Sequence, residues 1–137
     1  MNLRNNLIGI LLFCLIFRLI YFLVLHPGLV LYNSDSIDYF TTSFFDLYRT
    51  PVYPLLIKLF RFISENNYLK YLILFQQMLS FLSLIPFYFI SKYILKNSYA
   101  AIASVIFYGC WPFLLLQNVN INPESLCLSG STMLLYL

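Results

Sequence analysis

The chain has 137 residues, carries a net charge of +3, and is 61% hydrophobic but only 9% charged. Because a soluble domain usually has about 25% charged residues, this composition indicates a membrane protein. The positive charges are few and scattered, which argues against nucleic acid as a partner. The only histidine is His26, so histidine-based metal clusters and catalytic triads within this chain are excluded. The cysteines Cys14, Cys110 and Cys127 lie in apolar runs and are interpreted as small buried hydrophobic residues.

Four apolar segments are predicted to form membrane-spanning helices, because about 20 apolar residues cross a bilayer. They cover residues 7–25, 68–91, 98–117 and 123–137. The first is too long for the apolar region of a signal peptide and no cleavage-site pattern follows it, so an uncleaved anchor is predicted. The last is short, so it is predicted to be an incomplete span, and the chain is expected to be the N-terminal part of a larger protein. The predicted fold is all-α, a polytopic transmembrane helical protein, with residues 1–137 belonging to one transmembrane domain.

The loop between the first two spans, residues 26–67, is predicted to lie outside the bilayer core because it holds four of the five acidic residues. Its stretch TPVYPLLIKLFRFISENN places Lys58 and Arg61 on one helical face, with apolar residues over most of the remainder. This stretch is too short and too charged to span, so an amphipathic helix lying in the membrane interface is predicted. Basic residues are almost evenly divided between the two sides, so the positive-inside rule does not fix the orientation.

Two acidic residues stand out in the stretch LYNSDSIDYF, which follows the first predicted span. Asp35 and Asp38 are three residues apart, so they share a face if the stretch is helical. Two close carboxylates raise the pKa of one of them, which suits a general base, and their oxygens also suit a divalent cation. The alternative is a solvated loop in which Ser34 or Asp35 caps a helix that begins near Ser36.

An arginine opens the next motif, YRTPVYP. Arg49 is suited to bidentate contacts with a phosphate group. Pro51 and Pro54 are compatible with the first turn of a helix. That alternative explains both prolines but not the arginine.

A second arginine lies inside the first predicted span. A charge at the depth of Arg18 is costly and is usually paired or functional. We expect Arg18 to reach toward the side of the membrane that carries Asp35. It is a candidate to pair with Asp35, Asp38 or Glu124.

The motif NPESL opens the fourth apolar segment and contains the only acid after Glu65. Helix capping explains much of it, because Asn122 suits the N-cap, Pro123 the first turn and Glu124 the helix dipole. The span count also places Glu124 on the same side of the membrane as Asp35. Glu124 is therefore a second candidate site residue.

The order of these motifs resembles that in the GT-C superfamily of membrane glycosyltransferases. An anchor helix is followed by DSIDY in the first loop, then by RTPVYPLL, then by NPESL at the start of a later helix. The most similar branch contains protein O-mannosyltransferases, bacterial aminoarabinose transferases and RgtA-like lipopolysaccharide sugar transferases. The most specific part is Asp35, with Ser36 and Tyr39 after it, together with the arginine-proline-tyrosine-proline run. The resemblance covers nearly all of this chain but only the N-terminal part of such an enzyme.

The resemblance implies a GT-C-like fold whose first external loop lies along the membrane and carries the catalytic acidic residue, here Asp35. It implies a polyprenyl-phosphate sugar as donor, with a lipid, glycan or protein as acceptor. The protein is then expected to be a multi-pass protein of the plasma (inner) membrane with this loop facing outside. A divalent cation, Mg²⁺ or Mn²⁺, held by Asp35, Asp38 and Glu124, is left open as a cofactor.

The hypothesis assigns a role to each candidate residue. Asp35 accepts the proton of the acceptor hydroxyl, and Arg49, helped by Lys58 or Arg61, stabilises the departing lipid phosphate. Glu124 orients the acceptor or completes a cation site. The supporting and substrate-binding candidates are Asp38, Tyr39, Arg49, Tyr53, Glu124 and Arg18, of which the two tyrosines are expected to stack on sugar or isoprenoid.

Two other functions remain open from the residues alone. In a polytopic transporter or lipid-linked saccharide flippase, Arg18 and other intramembrane polar residues line a pathway. Those residues are Gln76, Gln77, Ser80 and Ser83. In a small accessory membrane subunit, the chain has no chemistry of its own and ends naturally at Leu137.

Overall fold

The computed structural model describes residues 3–25, 52–120 and 123–137. Within these residues the chain is helical and contains no strand. The helices are α1 (Leu3–Ile20), α2 (Val52–Ile63), α3 (Tyr68–Leu82), α4 (Leu84–Leu95), α5 (Ser98–Cys110), α6 (Pro112–Gln117) and α7 (Glu124–Tyr136). A π-helical turn, Tyr21–Leu25, continues α1. The all-α part of the predicted fold is therefore confirmed.

Two helical stretches among the described residues are long and apolar enough to cross a membrane. They are Leu7–Val24 and Tyr68–Leu95. The first agrees with the predicted span over residues 7–25, and the second extends the predicted span over residues 68–91 by four residues. A further apolar helix, Ser98–Cys110, is shorter than a bilayer requires. This pattern supports a membrane protein.

The second long stretch is interrupted at Ser83, which separates α3 from α4. Pro86 has no backbone N–H, so the carbonyl of Leu82 loses the donor that a continuous helix would provide. The Ser83 hydroxyl donates a hydrogen bond of 2.8 Å to the Ser80 carbonyl. This bond supports the local turn, and α4 resumes directly after it.

The third predicted span, residues 98–117, is not one continuous helix. α5 begins after Asn97, whose side-chain oxygen accepts hydrogen bonds from the backbone N–H groups of Tyr99 and Ala100 at 2.9 and 3.4 Å. It ends at Cys110, because Trp111 has an extended backbone and Pro112 starts the separate helix α6. Thirteen residues give α5 a length of about 20 Å, less than the roughly 30 Å of a bilayer core.

The segment predicted as an interface helix forms α2, with Pro54 in its first turn. The helix packs against α3 and buries Tyr53 and Ile57 against Leu72. Its outer surface carries exposed apolar residues as well as Lys58 and Arg61. The exposed apolar residues are Val52, Leu55, Leu59, Phe62 and Ile63. An interfacial location remains a prediction that this surface composition suits.

The helices pack as a bundle in which α1 lies against α5, α5 against α4, and α7 against both α3 and α4. An apolar cluster fills the junction of α1, α4 and α5. Its buried members are Cys14, Leu84, Tyr88, Ala101 and Val105. One helical turn beyond Cys14 on α1 lies Arg18, where the character of the interior changes from apolar to polar.

Candidate functional site

The site is centred on Arg18, the side chain of which is only 6% exposed. Its Nε donates a hydrogen bond of 3.0 Å to the carbonyl oxygen of Gly109 on α5. Its Nη1 donates a second bond of 3.1 Å to the Ser80 hydroxyl on α3. The guanidinium thus joins three helices that lie far apart in the chain.

The Gly109 carbonyl is free to accept this bond because α5 ends just after it. The last carbonyls of a helix have no donor within the helix, and the chain turns away at Trp111 into an extended conformation. Inside a membrane such a group must find a partner within the protein. Arg18 provides that partner, and its positive charge also suits the negative end of the helix dipole.

Gly109 also allows α1 to approach α5 closely. A Cβ atom added at this position would lie 2.8 Å from Cys14 Sγ and 3.4 Å from both Cys14 Cβ and Leu84 Cδ1. Real Cβ contacts essentially never fall below 3.0 Å. The absence of a side chain at Gly109 therefore lets the carbonyl of this residue reach Arg18.

Ser80 connects the arginine to a second polar residue, Asn118, which follows α6. The Asn118 Nδ2 group donates a hydrogen bond of 3.0 Å to the Ser80 hydroxyl oxygen. Both residues are buried. The Ser80 oxygen accepts from Arg18 and Asn118 together, so it fixes the position of the guanidinium between α1 and the start of the α6–α7 connection.

A cavity of about 200 Å³ lies beside this network. Its wall includes Arg18, Ser80 and Asn118, together with Tyr108 from α5 and Glu124 and Ser125 from α7. A single water molecule needs roughly 10–15 Å³ of such space, so the cavity is much larger than one water molecule requires. The cavity has room for a small polar group.

Two hydroxyl groups in this wall have no hydrogen-bond partner among the described residues. They are the Tyr108 hydroxyl and the Ser125 hydroxyl, and Ser125 is 4% exposed. A buried polar group without a partner costs about 1–3 kcal/mol. The exposed surface of the cavity is nevertheless mostly apolar, with Phe113, Leu114 and Leu128 in its wall, and the two hydroxyls are buried behind that surface.

The sequence suggested that Arg18 pairs with an acidic residue, and Glu124 does line the same cavity. No ion pair within 4.0 Å joins the two side chains; Arg18 instead bonds the neutral oxygens of Gly109 and Ser80. A guanidinium has five N–H donors, and these two bonds use two of them. Asp35 and Asp38, the other predicted partners, lie outside the described residues.

Tyr53 occupies a separate part of the interior. Its hydroxyl accepts a hydrogen bond of 3.1 Å from Gln76 Nε2, and its ring is buried beside Ile57 and Leu72. It is not part of the wall of the Arg18 cavity. The predicted stacking of Tyr53 on sugar or isoprenoid stays a prediction.

The remaining predicted site residues, Asp35, Asp38, Tyr39 and Arg49, lie outside the described residues. Where the chain is described, no group of three or more His, Cys, Asp or Glu side chains could hold a metal ion. Glu124 is the one described member of the predicted Mg²⁺ or Mn²⁺ ligand set. Glu124 alone is not a metal site, so the cation stays a prediction.

Sequence reasoning identified Arg18 and Glu124 but missed other residues that complete the cavity. Neither Asn118 nor Tyr108 is among the site residues that the sequence predicts. The signal for Asn118 was its place directly after a broken apolar helix, where orphan carbonyls need polar partners. Nothing in the sequence around Tyr108 indicates its role.

Comparisons of this chain with protein-family models, with curated proteins and with solved structures find no match. A function for the chain therefore rests on the chemistry of the site and on the motif order of the sequence.

Proposed function

We propose that this chain belongs to a GT-C-like membrane glycosyltransferase that moves a sugar from a polyprenyl-phosphate donor to an acceptor hydroxyl at the outer face of the plasma membrane. The observation that carries the proposal is the cavity beside Arg18. A buried guanidinium that no described acid neutralises borders a space with two further unpartnered hydroxyls. The arginine suits an anionic group, and the mostly apolar remainder of the wall suits a ligand that also carries apolar groups.

The donor groups match the needs of a phosphate. Phosphate oxygens accept hydrogen bonds and carry negative charge, and a guanidinium is well suited to them because its planar fork can donate two bonds at once. Arg18 retains N–H groups beyond those bound to Gly109 and Ser80. The hydroxyls of Tyr108 and Ser125 belong to residues of the same wall and can donate as well if they turn toward the ligand.

The position of the cavity favours a lipid phosphate over a soluble one. Arg18 lies within the span Leu7–Val24 and about 9 Å along the helix from its C-terminal end. In the proposed orientation that end faces outside, where the acidic loop follows. A phosphate attached to a membrane-embedded chain is held at the membrane surface by its own anchor, on the side toward which this end of the helix points.

Asp35 performs the proton transfer in the proposed reaction. The acceptor hydroxyl oxygen forms a bond to the anomeric carbon of the sugar while the bond from that carbon to the phosphate oxygen breaks. Asp35 takes the hydroxyl proton, and the bonding electrons leave with the polyprenyl phosphate. Arg49 and Arg18 stabilise the negative charge that develops on the leaving phosphate.

Glu124 has the role of orienting the acceptor. It lies at the start of α7 and lines the cavity that contains Arg18. Its carboxylate can accept a hydrogen bond from an acceptor hydroxyl near the phosphate.

The test uses the intact protein in membranes with a radiolabelled polyprenyl-phosphate sugar pool, and follows label that leaves the lipid. Asp35→Asn is expected to slow transfer by about 10²–10⁴-fold, the usual contribution of a general base. Glu65→Gln is the matched control, because Glu65 is an exposed carboxylate in the turn between α2 and α3. The Glu65→Gln variant should transfer at the wild-type rate.

Three results would contradict the proposal in different ways. Equal transfer by wild type and Asp35→Asn would remove Asp35 from the mechanism and direct attention to Glu124. Movement of intact donor lipid across the membrane, with no free polyprenyl phosphate released, would favour the flippase alternative. Absence of both transfer and lipid movement across a panel of donor sugars would reject both functions.

A further inference from the structure

The connector between α4 and α5 carries two lysines at one end of the helix bundle. Lys92 lies in the last turn of α4, and Lys96 follows the last residue of that helix. The backbone N–H of Lys96 bonds the Lys92 carbonyl at 3.0 Å, so the two residues are one turn apart, and both side chains are exposed. Like charges at this spacing repel and destabilise a helix. The pair is therefore a local electrostatic cost.

Lys96 adds a second cost, because its backbone is left-handed, with a φ of 52°. No other non-glycine residue in the described part of the chain has a positive φ. Glycine or asparagine occupies such a position after a helix at lower cost. The negative end of the α4 dipole favours a nearby cation, but Lys92 already provides one. Two costs within one turn indicate that the lysines serve a partner outside the helix.

That partner is not an acidic side chain of residues 3–25, 52–120 or 123–137, which include two carboxylates, Glu65 and Glu124. Glu65 precedes α3, at the opposite end of the apolar stretch Tyr68–Leu95. Glu124 lines the cavity of Arg18, which bonds the C-terminal end of α5, whereas the connector precedes the N-terminal end of that helix. Within these ranges the connector therefore presents positive charge with no acid at its end of the bundle.

Exposed tyrosines indicate that this end of the bundle lies at a membrane surface. Tyr93 is 85% exposed and Tyr99 is 72% exposed. Tyr136, at the end of α7, contacts Phe89 one turn before Tyr93, with ring centroids 5.5 Å apart. Tyrosines at the ends of apolar helices are typical of the interface between hydrocarbon and headgroups. The connector directly follows the 28-residue apolar stretch Tyr68–Leu95, so it is expected where that stretch leaves the bilayer.

We propose that the α4–α5 connector, residues 92–99, binds the phosphate group of anionic glycerophospholipids. The ammonium groups of Lys92 and Lys96 donate hydrogen bonds to the phosphate oxygens, and the rings of Tyr93 and Tyr99 lie where the headgroups meet the acyl chains. Charge complementarity favours an anionic lipid over a zwitterionic one, whose own cationic group competes with the lysines. The site is separate from the proposed sugar transfer, since none of these residues lines the Arg18 cavity.

Binding at the connector sets the depth of α5 in the membrane. Gly109 lies about 16 Å along the helix from Ser98. The carbonyl that accepts from Arg18 is then near the middle of a bilayer core roughly 30 Å thick. The bound lipid thus holds one end of a helix that is too short to reach both surfaces.

The experiment uses the intact protein in phosphatidylcholine nanodiscs that contain a trace of photoreactive lipid. Phosphatidylglycerol and phosphatidylcholine are compared, each with a diazirine at the start of one acyl chain. After illumination, mass spectrometry measures the adducts on residues 92–99. Each lysine near an anionic lipid contributes a factor of roughly five, so phosphatidylglycerol should give roughly 25-fold more adducts than phosphatidylcholine.

Variants separate the charge of the lysines from their packing. The double variant Lys92→Gln with Lys96→Gln should lose the preference for phosphatidylglycerol, whereas Lys92→Arg with Lys96→Arg should keep it. Lys70→Gln is the matched control, because Lys70 is an exposed lysine at the start of α3, at the opposite end of the apolar stretch. This variant should label like the wild type.

Lys96→Gly distinguishes lipid binding from a structural role. It should lower the phosphatidylglycerol adducts roughly fivefold. It should also raise the thermal stability measured in a zwitterionic detergent, because glycine relieves the left-handed backbone. A lysine with only a structural role would lose stability on this substitution, which would overturn the assignment.

Three further results would contradict the proposal. Equal adducts from the two lipids would remove the charge preference, and an equal loss in Lys70→Gln would attribute the binding to net charge. Suppression of labelling by millimolar inorganic phosphate would assign the lysines to a soluble anion. None of these results changes the glycosyltransferase proposal, since that is tested by label that leaves the donor lipid.

Discussion

Cys14 and Arg18 lie one helical turn apart on the same face of α1, yet their surroundings differ completely. Cys14 is fully buried in the apolar cluster with Leu84 and Val105. Arg18 is almost as deeply buried but bonds a backbone carbonyl and a hydroxyl. Both residues face α5, but Cys14 also packs against Leu84 on α4, whereas Arg18 also bonds Ser80 on α3.

The difference comes from the end of α5. Cys14 also lies beside this helix end, but it meets the Cα side of Gly109 and the Cys110 side chain, whose Sγ is 4.0 Å from its own. Opposite Arg18 the helix ends before Trp111, and its last carbonyls require donors from elsewhere. A break in one helix thus determines where a polar site forms in its neighbour.

The largest effect on stability is expected from a disulfide bond between α1 and α5 at the apolar cluster. The Sγ atoms of Cys14 and Cys110 are 4.0 Å apart across α1 and α5, so a membrane-permeant thiol oxidant is expected to join them. The product should resist unfolding by about 2–4 kcal/mol more than the reduced protein. Mass spectrometry of alkylated protein would show two of the three thiols protected.

Cys127 serves as the internal control in that experiment, because it is exposed and has no cysteine partner among the described residues. It should remain alkylated after oxidation. Protection of Cys127 in place of Cys14, or dimers linked between chains, would contradict the packing of α1 on α5.

The next largest effect on stability is expected from a substitution at Gly109, which contacts both Cys14 and Arg18. Gly109→Ala places a methyl group 2.8 Å from Cys14 Sγ, which should separate α1 from α5 and destabilise the protein by about 1–3 kcal/mol. The measurement is unfolding of the purified protein in mixed micelles. Gly130→Ala on α7 is the matched control, since a Cβ there meets nothing within 4 Å.

The control variant should be unchanged, or more stable by up to about 1 kcal/mol, because alanine is the better helix former. The double variant Cys14→Ala with Gly109→Ala removes the closest clash and should recover part of the loss. Equal stability of Gly109→Ala and wild type would mean that α1 and α5 are farther apart than the distance to Cys14 Sγ indicates.

A smaller loss of stability is expected when the hydrogen-bond network around Arg18 is changed. Ser80→Ala removes an oxygen that accepts from both Arg18 and Asn118. Bonds between helices in membranes contribute about 0.6 kcal/mol each on average, so a loss of about 1 kcal/mol is expected in the same unfolding assay. Ser104→Ala is the control, because the Ser104 hydroxyl bonds only the Ala100 carbonyl of its own helix.

If Ser104→Ala costs as much as Ser80→Ala, the loss reflects general packing and the polar network carries no specific energy. A double-mutant cycle between Ser80→Ala and Asn118→Ala sharpens the test. Coupling between the two substitutions should be about 0.6 kcal/mol, the average for a bond of this kind.

The smallest effect is expected away from both regions. Tyr53→Phe removes the hydroxyl that accepts from Gln76 Nε2 between α2 and α3, and should cost about 0.6 kcal/mol. Tyr99→Phe is the comparison, since Tyr99 is largely exposed at the start of α5 and should be neutral. A loss larger than that of Ser80→Ala would place the main polar stabilisation between α2 and α3 and not around Arg18.

The sequence predicted the apolar helices well because their signal is local. Runs of apolar residues at 7–25 and 68–91 are long, and the proline and serine residues near Ser83 mark the interruption between α3 and α4. The break after Cys110 was harder to place. Trp111 and Pro112 lie within the third predicted span, but apolar residues continue to residue 116, so hydropathy alone predicts one helix.

The candidate site was only partly predictable for a different reason. Arg18 is conspicuous because charge is rare in an apolar span. Its main acceptor, however, is the backbone carbonyl of Gly109, which lies 91 residues away and has no side chain to indicate it. The sequence predicted an acidic partner for Arg18, but the partner is a neutral carbonyl at the end of α5. The DSIDY motif lies outside the described residues, so the role of Asp35 stays a prediction.

The bond between Arg18 and Gly109 also has a consequence for the order in which the protein is made. α1 leaves the ribosome long before α5, so it enters the bilayer with its arginine lacking the carbonyl that later binds it. An arginine inside a span opposes insertion, by up to roughly 2.5–3.5 kcal/mol at the centre of the span, and the leucine- and isoleucine-rich remainder of α1 must offset this. The bond between the Arg18 guanidinium and the Gly109 carbonyl can therefore form only after α5 has followed α1 into the bilayer.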